Sequence, residues 1–170
     1  MTDLECAYIA GFLDGDGSII FQIVRRRDYR LGFQIRASVC FYQKRCGSGV
    51  LEWLKMRLGN GSIRSRGSMT DYTIVGYRPV RRVLNLIRPY LVVKRAQVEA
   101  AFPILDAAES IRGDSDLLAI ARAVDRYSAL NYSKHRTVTA NQVSQHFKKE
   151  RSIRCHAREP ARWTSSDRCG

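Results

Sequence analysis

The chain has 170 residues and a formal net charge of +13, with 29 lysines and arginines against 16 aspartates and glutamates. That length supports one domain with a real hydrophobic core. The 45% apolar content is ordinary for a globular protein, and no apolar run approaches the roughly 18 residues of a membrane span.

The start MTDLECAYIAG lacks the basic segment and long apolar core of a secretory signal. The five cysteines form no CxxC pair, which argues against a disulfide framework or structural zinc. The charge points to an anionic partner: nucleic acid, acidic membrane or acidic protein.

Residues 3 to 13 predict a helix with Asp3 as its cap. Ala7, Ala10 and Gly11 lie three or four apart on it. They form a shallow stripe suited either to close approach of another helix or to ordinary core packing. Gly15 and Gly17 are expected to end this helix. From Ser18 the period changes to two. Ile19, Phe21 and Ile23 share one strand face, and Ile20, Gln22, Val24 and Arg26 share the other. After the connection RRRDYRLG, the segment FQIRASVCFY alternates again. Phe33, Ile35, Ala37, Val39 and Phe41 point one way; Gln34, Arg36, Ser38, Cys40 and Tyr42 point the other. The two strands read as a long antiparallel hairpin.

Residues 49 to 58 predict a helix stopped by GNG. SIRSR and DYTIVG then form a second hairpin, with Gly67 in its turn. Pro79 suits the first turn of a helix running to about Ile87. Residues 94 to 108 and 114 to 131 are two further helices, with Pro103 expected to kink or interrupt the first. A short helix near residues 140 to 148 closes the domain. Residues 1 to 147 are read as the domain and 148 to 170 as a basic tail without regular structure. This order predicts an α+β domain of repeated α-β-β units, with one antiparallel sheet and helices on one face.

The open face is where the charge is informative. It collects Gln22, Arg26, Gln34, Arg36 and Ser38 from the first hairpin and Arg64, Arg66, Asp71 and Thr73 from the second. A solvated polar face explains alternation but not the Arg/Gln bias. Arginine pairs with guanine edges, glutamine with adenine, and an acid accepts from cytosine, and a two-stranded ribbon fits the major groove of double-stranded DNA. In SKHRT, Ser133, Lys134 and Arg136 are candidate phosphate contacts.

The stretch IAGFLDGDGSI is acidic in a basic chain. Asp14 and Asp16 flank Gly15, and such carboxylates suit Mg²⁺, which keeps room for water and phosphate oxygens. Taken alone, DGDG is equally a turn or a weak calcium loop, although the full twelve-residue calcium pattern is missing.

AYIAGFLDGDGSI resembles the signature of the LAGLIDADG homing endonucleases, in particular the single-motif type of organellar group I introns in green algae. QIVRRRDYRLGFQIRASVCFYQK, GNGSIRSRGSMTDYTIVG, RPYLVVKRAQ and ALNYSKHRT are similar to that group in the same order, over roughly residues 4 to 147.

The resemblance implies a curved four-stranded sheet and a homodimer whose motif helices meet at a two-fold axis through Ala7, Ala10, Gly11 and Asp14, with Asp14, the earlier motif acid, expected above all to support the helix end. It implies that Asp16 and the Gly15 carbonyl hold a divalent metal (Mg²⁺, with Mn²⁺ or Ca²⁺ as other occupants). Gln43 would organise water and Lys94 would sit near the scissile phosphate. Double-strand cleavage of a long, nearly palindromic site for intron homing, leaving short 3′ overhangs in an organelle (chloroplast before mitochondrion), follows from it.

One position departs. The family has a basic residue four places after the matched glutamine, where this chain has Gly47; Lys44 and Arg45 are the neighbouring substitutes. The rival readings are a cleavage-inactive DNA binder or an RNA-binding maturase, which would tolerate loss of Asp16, and an oligomerisation domain, whose acids would only terminate a packed helix.

Overall fold

The computed structural model describes residues 1–131 and 138–156, with side chains in the second segment through residue 152. Its elements are α1 (Asp3–Asp16), β1 (Gly17–Arg25), β2 (Phe33–Lys44), α2 (Gly49–Leu58), β3 (Ser62–Arg66), β4 (Met69–Val75), α3 (Tyr77–Ile87), α4 (Arg95–Glu109), α5 (Asp114–Tyr127) and α6 (Ala140–His156). The four strands form one antiparallel sheet in the order β1-β2-β4-β3. Each hairpin follows a helix, so the α-β-β unit occurs twice, as the order of sequence periods predicts.

Strand alternation sets the layers. Ile19, Phe21 and Ile23 of β1 and Phe33, Ile35, Ala37, Val39 and Phe41 of β2 are all buried under the helices. Tyr72 and Ile74 continue that face on β4, with the Tyr72 ring stacked on Phe41 at a centroid distance of 5.9 Å. The Tyr72 hydroxyl donates to the Asn60 carbonyl, which satisfies its one polar atom.

Several details differ from the sequence reading. The cap of α1 is Thr2 rather than Asp3: its hydroxyl accepts from the Glu5 N–H, and the Glu5 carboxylate accepts from the Thr2 N–H. This is a capping box, and TDLE carries its T-x-x-E signature. Gly15 does not end the helix; α1 continues to Asp16 and turns into β1 at Gly17. A Cβ on Gly17 would stand 2.5 Å from Leu13 Cδ1 and 3.0 Å from the Cys40 carbonyl, so only glycine fits this turn. Helix α4 runs through Pro103 without a break. Helix α6 reaches His156, past the expected end near residue 148.

Among the described residues no helix is long and apolar enough to cross a membrane. Cys6, Cys40 and Cys46 are free thiols.

Candidate active site and nucleic-acid interface

Helix α1 delivers both motif acids to one end, and their surroundings differ sharply. The Asp14 carboxylate accepts three successive backbone N–H groups, from Val92 (2.8 Å), Val93 (3.1 Å) and Lys94 (2.8 Å). Lys94 Nζ returns a bond to the Asp14 carbonyl at 2.6 Å. That carbonyl lies in the last turn of α1, where intrahelical partners run out, and a cation there also complements the helix dipole. Burial pushes the Asp14 carboxyl up, but the three N–H groups and the Lys94 charge outweigh it and hold its pKa below the ordinary value.

Lys94 itself is only 8% exposed. Burial pushes its ammonium below the ordinary lysine value, against the pull of the Asp14 and Asp16 charges. Asp16, by contrast, is exposed, and no hydrogen bond among the described residues takes its carboxylate. Gly15 is exposed beside it, with open space where a Cβ would stand. Asp14, Gly15, Tyr42 and Lys94 line one groove of about 890 Å³ that continues along β1 past Gln22.

Among the described residues, no three His, Cys, Asp or Glu side chains cluster to form a metal cage. At this end of α1, the Asp16 carboxylate and the Gly15 carbonyl are the two groups that the resemblance assigned to a cation. These are hard oxygen donors and too few to saturate a metal. That set fits Mg²⁺ or Ca²⁺, whose remaining positions are filled by water and phosphate oxygens.

Gln43 follows Phe41 in the alternation of β2 and pairs with Thr70. Its Oε1 accepts from the Lys44 N–H at 2.8 Å, which leaves its amide donors for other partners. Gly47 lies against it: a Cβ at residue 47 would meet the Gln43 side chain at 3.5 to 3.8 Å, ordinary contact distance. The position that departs from the family pattern is thus adjacent to the glutamine.

On the open sheet face the register gives rows across the strands. Gln22 pairs with Arg36, and Val24 with Gln34; Tyr42, Asp71 and Arg64 form a third row. Arg36, Arg64 and Arg66 are exposed there, and Gln22 and Gln34 stand beside them.

Four expected contacts already have partners, or little exposure, within the protomer. Arg26 lies beyond β1, in the connection. It is clamped by Asp28 at 2.9 and 2.7 Å and stands over the Tyr29 ring. That hydrogen-bonded partner holds the Asp28 carboxyl down at about 2. The Asp71 carboxylate is engaged by Arg66 at 3.4 Å and by the Thr73 hydroxyl at 3.1 Å, so both side chains hold each other before any base arrives. Ser38 is only 5% exposed, recessed between Ile20 and Val75. Ser133, Lys134 and Arg136 lie outside the described residues.

Helix α1 also has two faces. Cys6, Ile9, Ala10 and Leu13 are buried in the protomer's own core. Leu4, Ala7, Tyr8, Gly11 and Gly15 recur at helical spacing and are exposed, Leu4 by 83%. Ala10 is therefore unavailable to a second subunit, because the core already covers it. Asp14 is likewise committed within its own chain. Sequence reasoning missed Leu4 and Tyr8, although their i, i+4 spacing to each other and the i, i+7 spacing of Leu4 to Gly11 were the signal. It also missed Val92 and Val93, exposed next to Lys94 at the same end of the molecule.

A motif helix ending in a free acid, a neighbouring lysine and an open Arg/Gln sheet face define a nucleic-acid-processing α+β domain. Residues 9–98 match the family described as LAGLIDADG endonuclease, and the chain belongs to it. It is 34% identical to the DNA endonuclease I-CvuI of Chlorella vulgaris over 147 residues, 86% of this chain and 91% of that protein. To the DNA endonuclease I-CreI of Chlamydomonas reinhardtii it is 34% identical over 137 residues, 80% and 84% of the two chains. The crystal structure of I-CvuI in complex with its target in the presence of 2 mM Ca matches the fold with a TM-score of 0.82, at 34% identity, over 86% of this chain and 94% of that one.

Proposed function

We propose that the chain is a homodimeric, site-specific DNA endonuclease that makes metal-dependent double-strand breaks in a long, nearly palindromic site, serving intron homing. The observation that carries this reading is the division of labour at the end of α1. Asp14 is spent on holding residues 92 to 94, while Asp16, without a hydrogen bond among the described residues, lies close enough to the lysine so held to act on its charge. The relatives support it: I-CvuI and I-CreI are DNA endonucleases, and I-CvuI has been seen on its own target with calcium. The green-algal relatives favour a chloroplast setting.

In this reading Asp16 and the Gly15 carbonyl hold Mg²⁺, with Mn²⁺ or Ca²⁺ as alternative occupants. The bound cation would supply an activated water and charge stabilisation at the leaving oxygen. Lys94 holds its ammonium in a largely buried place at the site, where a fixed positive charge counters charge developing on the phosphate. Gln43 turns its free amide donors to a water and orients it without acting as a base.

Gln22, Gln34, Arg36, Arg64 and Arg66 read base edges, Asp71 and Thr73 hold Arg66 in position, and Arg26 with Asp28 stiffens the hairpin connection. The exposed stripe Leu4, Ala7, Tyr8 and Gly11, with Val92 and Val93, is covered by the second subunit. Two copies then bring two acids to two strands.

The test is cleavage of a randomised duplex library in Mg²⁺ beside Asp16→Asn protein. Recovery of one long near-palindromic site, cut only by the unaltered protein, is the expected result. A folded dimer that binds RNA and cuts no duplex would overturn it in favour of a maturase.

A further inference from the structure

The open face is not uniformly polar. Between the Gln22–Arg36 row and the arginines of the second hairpin runs the row Ile20–Ser38–Val75, which crosses β1, β2 and β4. Strand β3 begins only at Ser62, opposite Thr73. Nothing in the sheet therefore flanks Val75 on its far side, and it is 42% exposed. Ser38 between the two apolar side chains is recessed, so the row presents two apolar shoulders with a dip between them.

A single exposed valine on a surface is ordinary. Two apolar side chains flanking a recessed serine in a row that crosses three strands, on a face that carries Arg36, Arg64 and Arg66, are not explained by solvation. The arginines on both sides bring a phosphodiester duplex onto it by charge. In the major groove of that duplex the apolar group on offer is the thymine C5-methyl.

We propose that Ile20 and Val75 form a thymine-methyl reading strip, so that each half of the target carries thymine at the step facing this row. The proposal rests on the open face being the DNA interface. The strip contributes specificity through methyl contact alone, while the flanking Gln and Arg rows read hydrogen-bonding edges. Ser38, being recessed, makes room for the methyl rather than contacting the base edge.

The experiment takes the site recovered from the randomised library and replaces its thymines, one symmetric pair at a time, by uracil. This deletes the methyl and leaves base pairing and the protein unchanged. At one pair, affinity should fall about fourfold per methyl lost, the effect of removing one buried CH₂-sized group. The same replacement should have a smaller effect on Val75→Ala or Ile20→Ala protein, each of which keeps one of the two shoulders and whose own affinity for the thymine site is already reduced.

Uracil tolerated at every pair, or equal uracil sensitivity in the alanine variants, would overturn the strip while leaving the endonuclease reading intact. If no duplex is selected at all, both readings fall together.

Discussion

Asp14 and Asp16 stand two residues apart on one helix end and live in different environments. The first spends its carboxylate on three backbone N–H groups from a segment 78 to 80 residues away in sequence. The second is exposed and uncommitted among the described residues. The same contrast runs along the helix: one face, with Ile9, Ala10 and Leu13, belongs to the protomer's own core, and the other, with Leu4, Tyr8 and Gly11, is exposed. In the proposed reading, structural and chemical duties are separated by position within a single motif. An acid in a motif therefore declares its role through its partners, not through its identity.

The separation can be broken at each end. Asp16→Asn should lower the cleavage rate by about 100-fold or more, the scale of removing one group that stabilises a transition state. Thermal stability should be unchanged, because no hydrogen bond among the described residues takes that carboxylate; melting curves beside single-turnover rates check this. Gly11→Leu should come next. Open space faces Gly11 within the protomer, so the monomer folds. The close approach of two helices is lost, however, and sedimentation should show monomer with double-strand cleavage gone.

Asp14→Asn should do what Asp16→Asn does not. Losing the charged acceptor of three N–H groups should cost about 1.5–3 kcal/mol of stability. Cleavage should fall as well, through a loosened Lys94.

The pH dependence carries the same signature. The Asp14 carboxyl titrates below its ordinary 3.8 in the folded chain. Its contribution to stability is complete above that ordinary value and is lost as pH falls through the lower folded value. Acid denaturation of Asp14→Asn protein should show a correspondingly shallower slope.

The smallest effect is expected at Gly47→Arg. A side chain there meets Gln43 at ordinary contact distance, so the change should be tolerated. It restores the basic residue of the family pattern and should raise the rate by a few fold.

Much of the fold was legible because the physics is local. Period-two alternation in residues 18 to 25 and 33 to 42 needs only neighbouring side chains, and each predicted inward residue of β1 and β2 is buried. Gly59, left-handed at φ 78°, closes α2 where the sequence GNG indicated. The failures are non-local or depend on geometry. The burial of Ala10 follows from which way α1 rolls onto the sheet, which small-residue spacing alone leaves open. The bonds from residues 92 to 94 to Asp14 span half the chain. Ser38 is recessed because its strand neighbours are larger, a fact of register rather than of residue type. Arg26 and Asp28 were both visible, but the strand ends one residue before Arg26, so its side chain turns to the acid in the connection.

The most direct test of the central claim is the cut made by a mixed dimer, one protomer unaltered and its partner carrying Asp16→Asn, on the recovered site in Mg²⁺. If each protomer contributes one uncommitted acid to one strand, this dimer should nick a single strand and leave the other intact. Efficient double-strand cleavage by the mixed dimer would contradict the account, because a single Asp16 would then suffice for both strands.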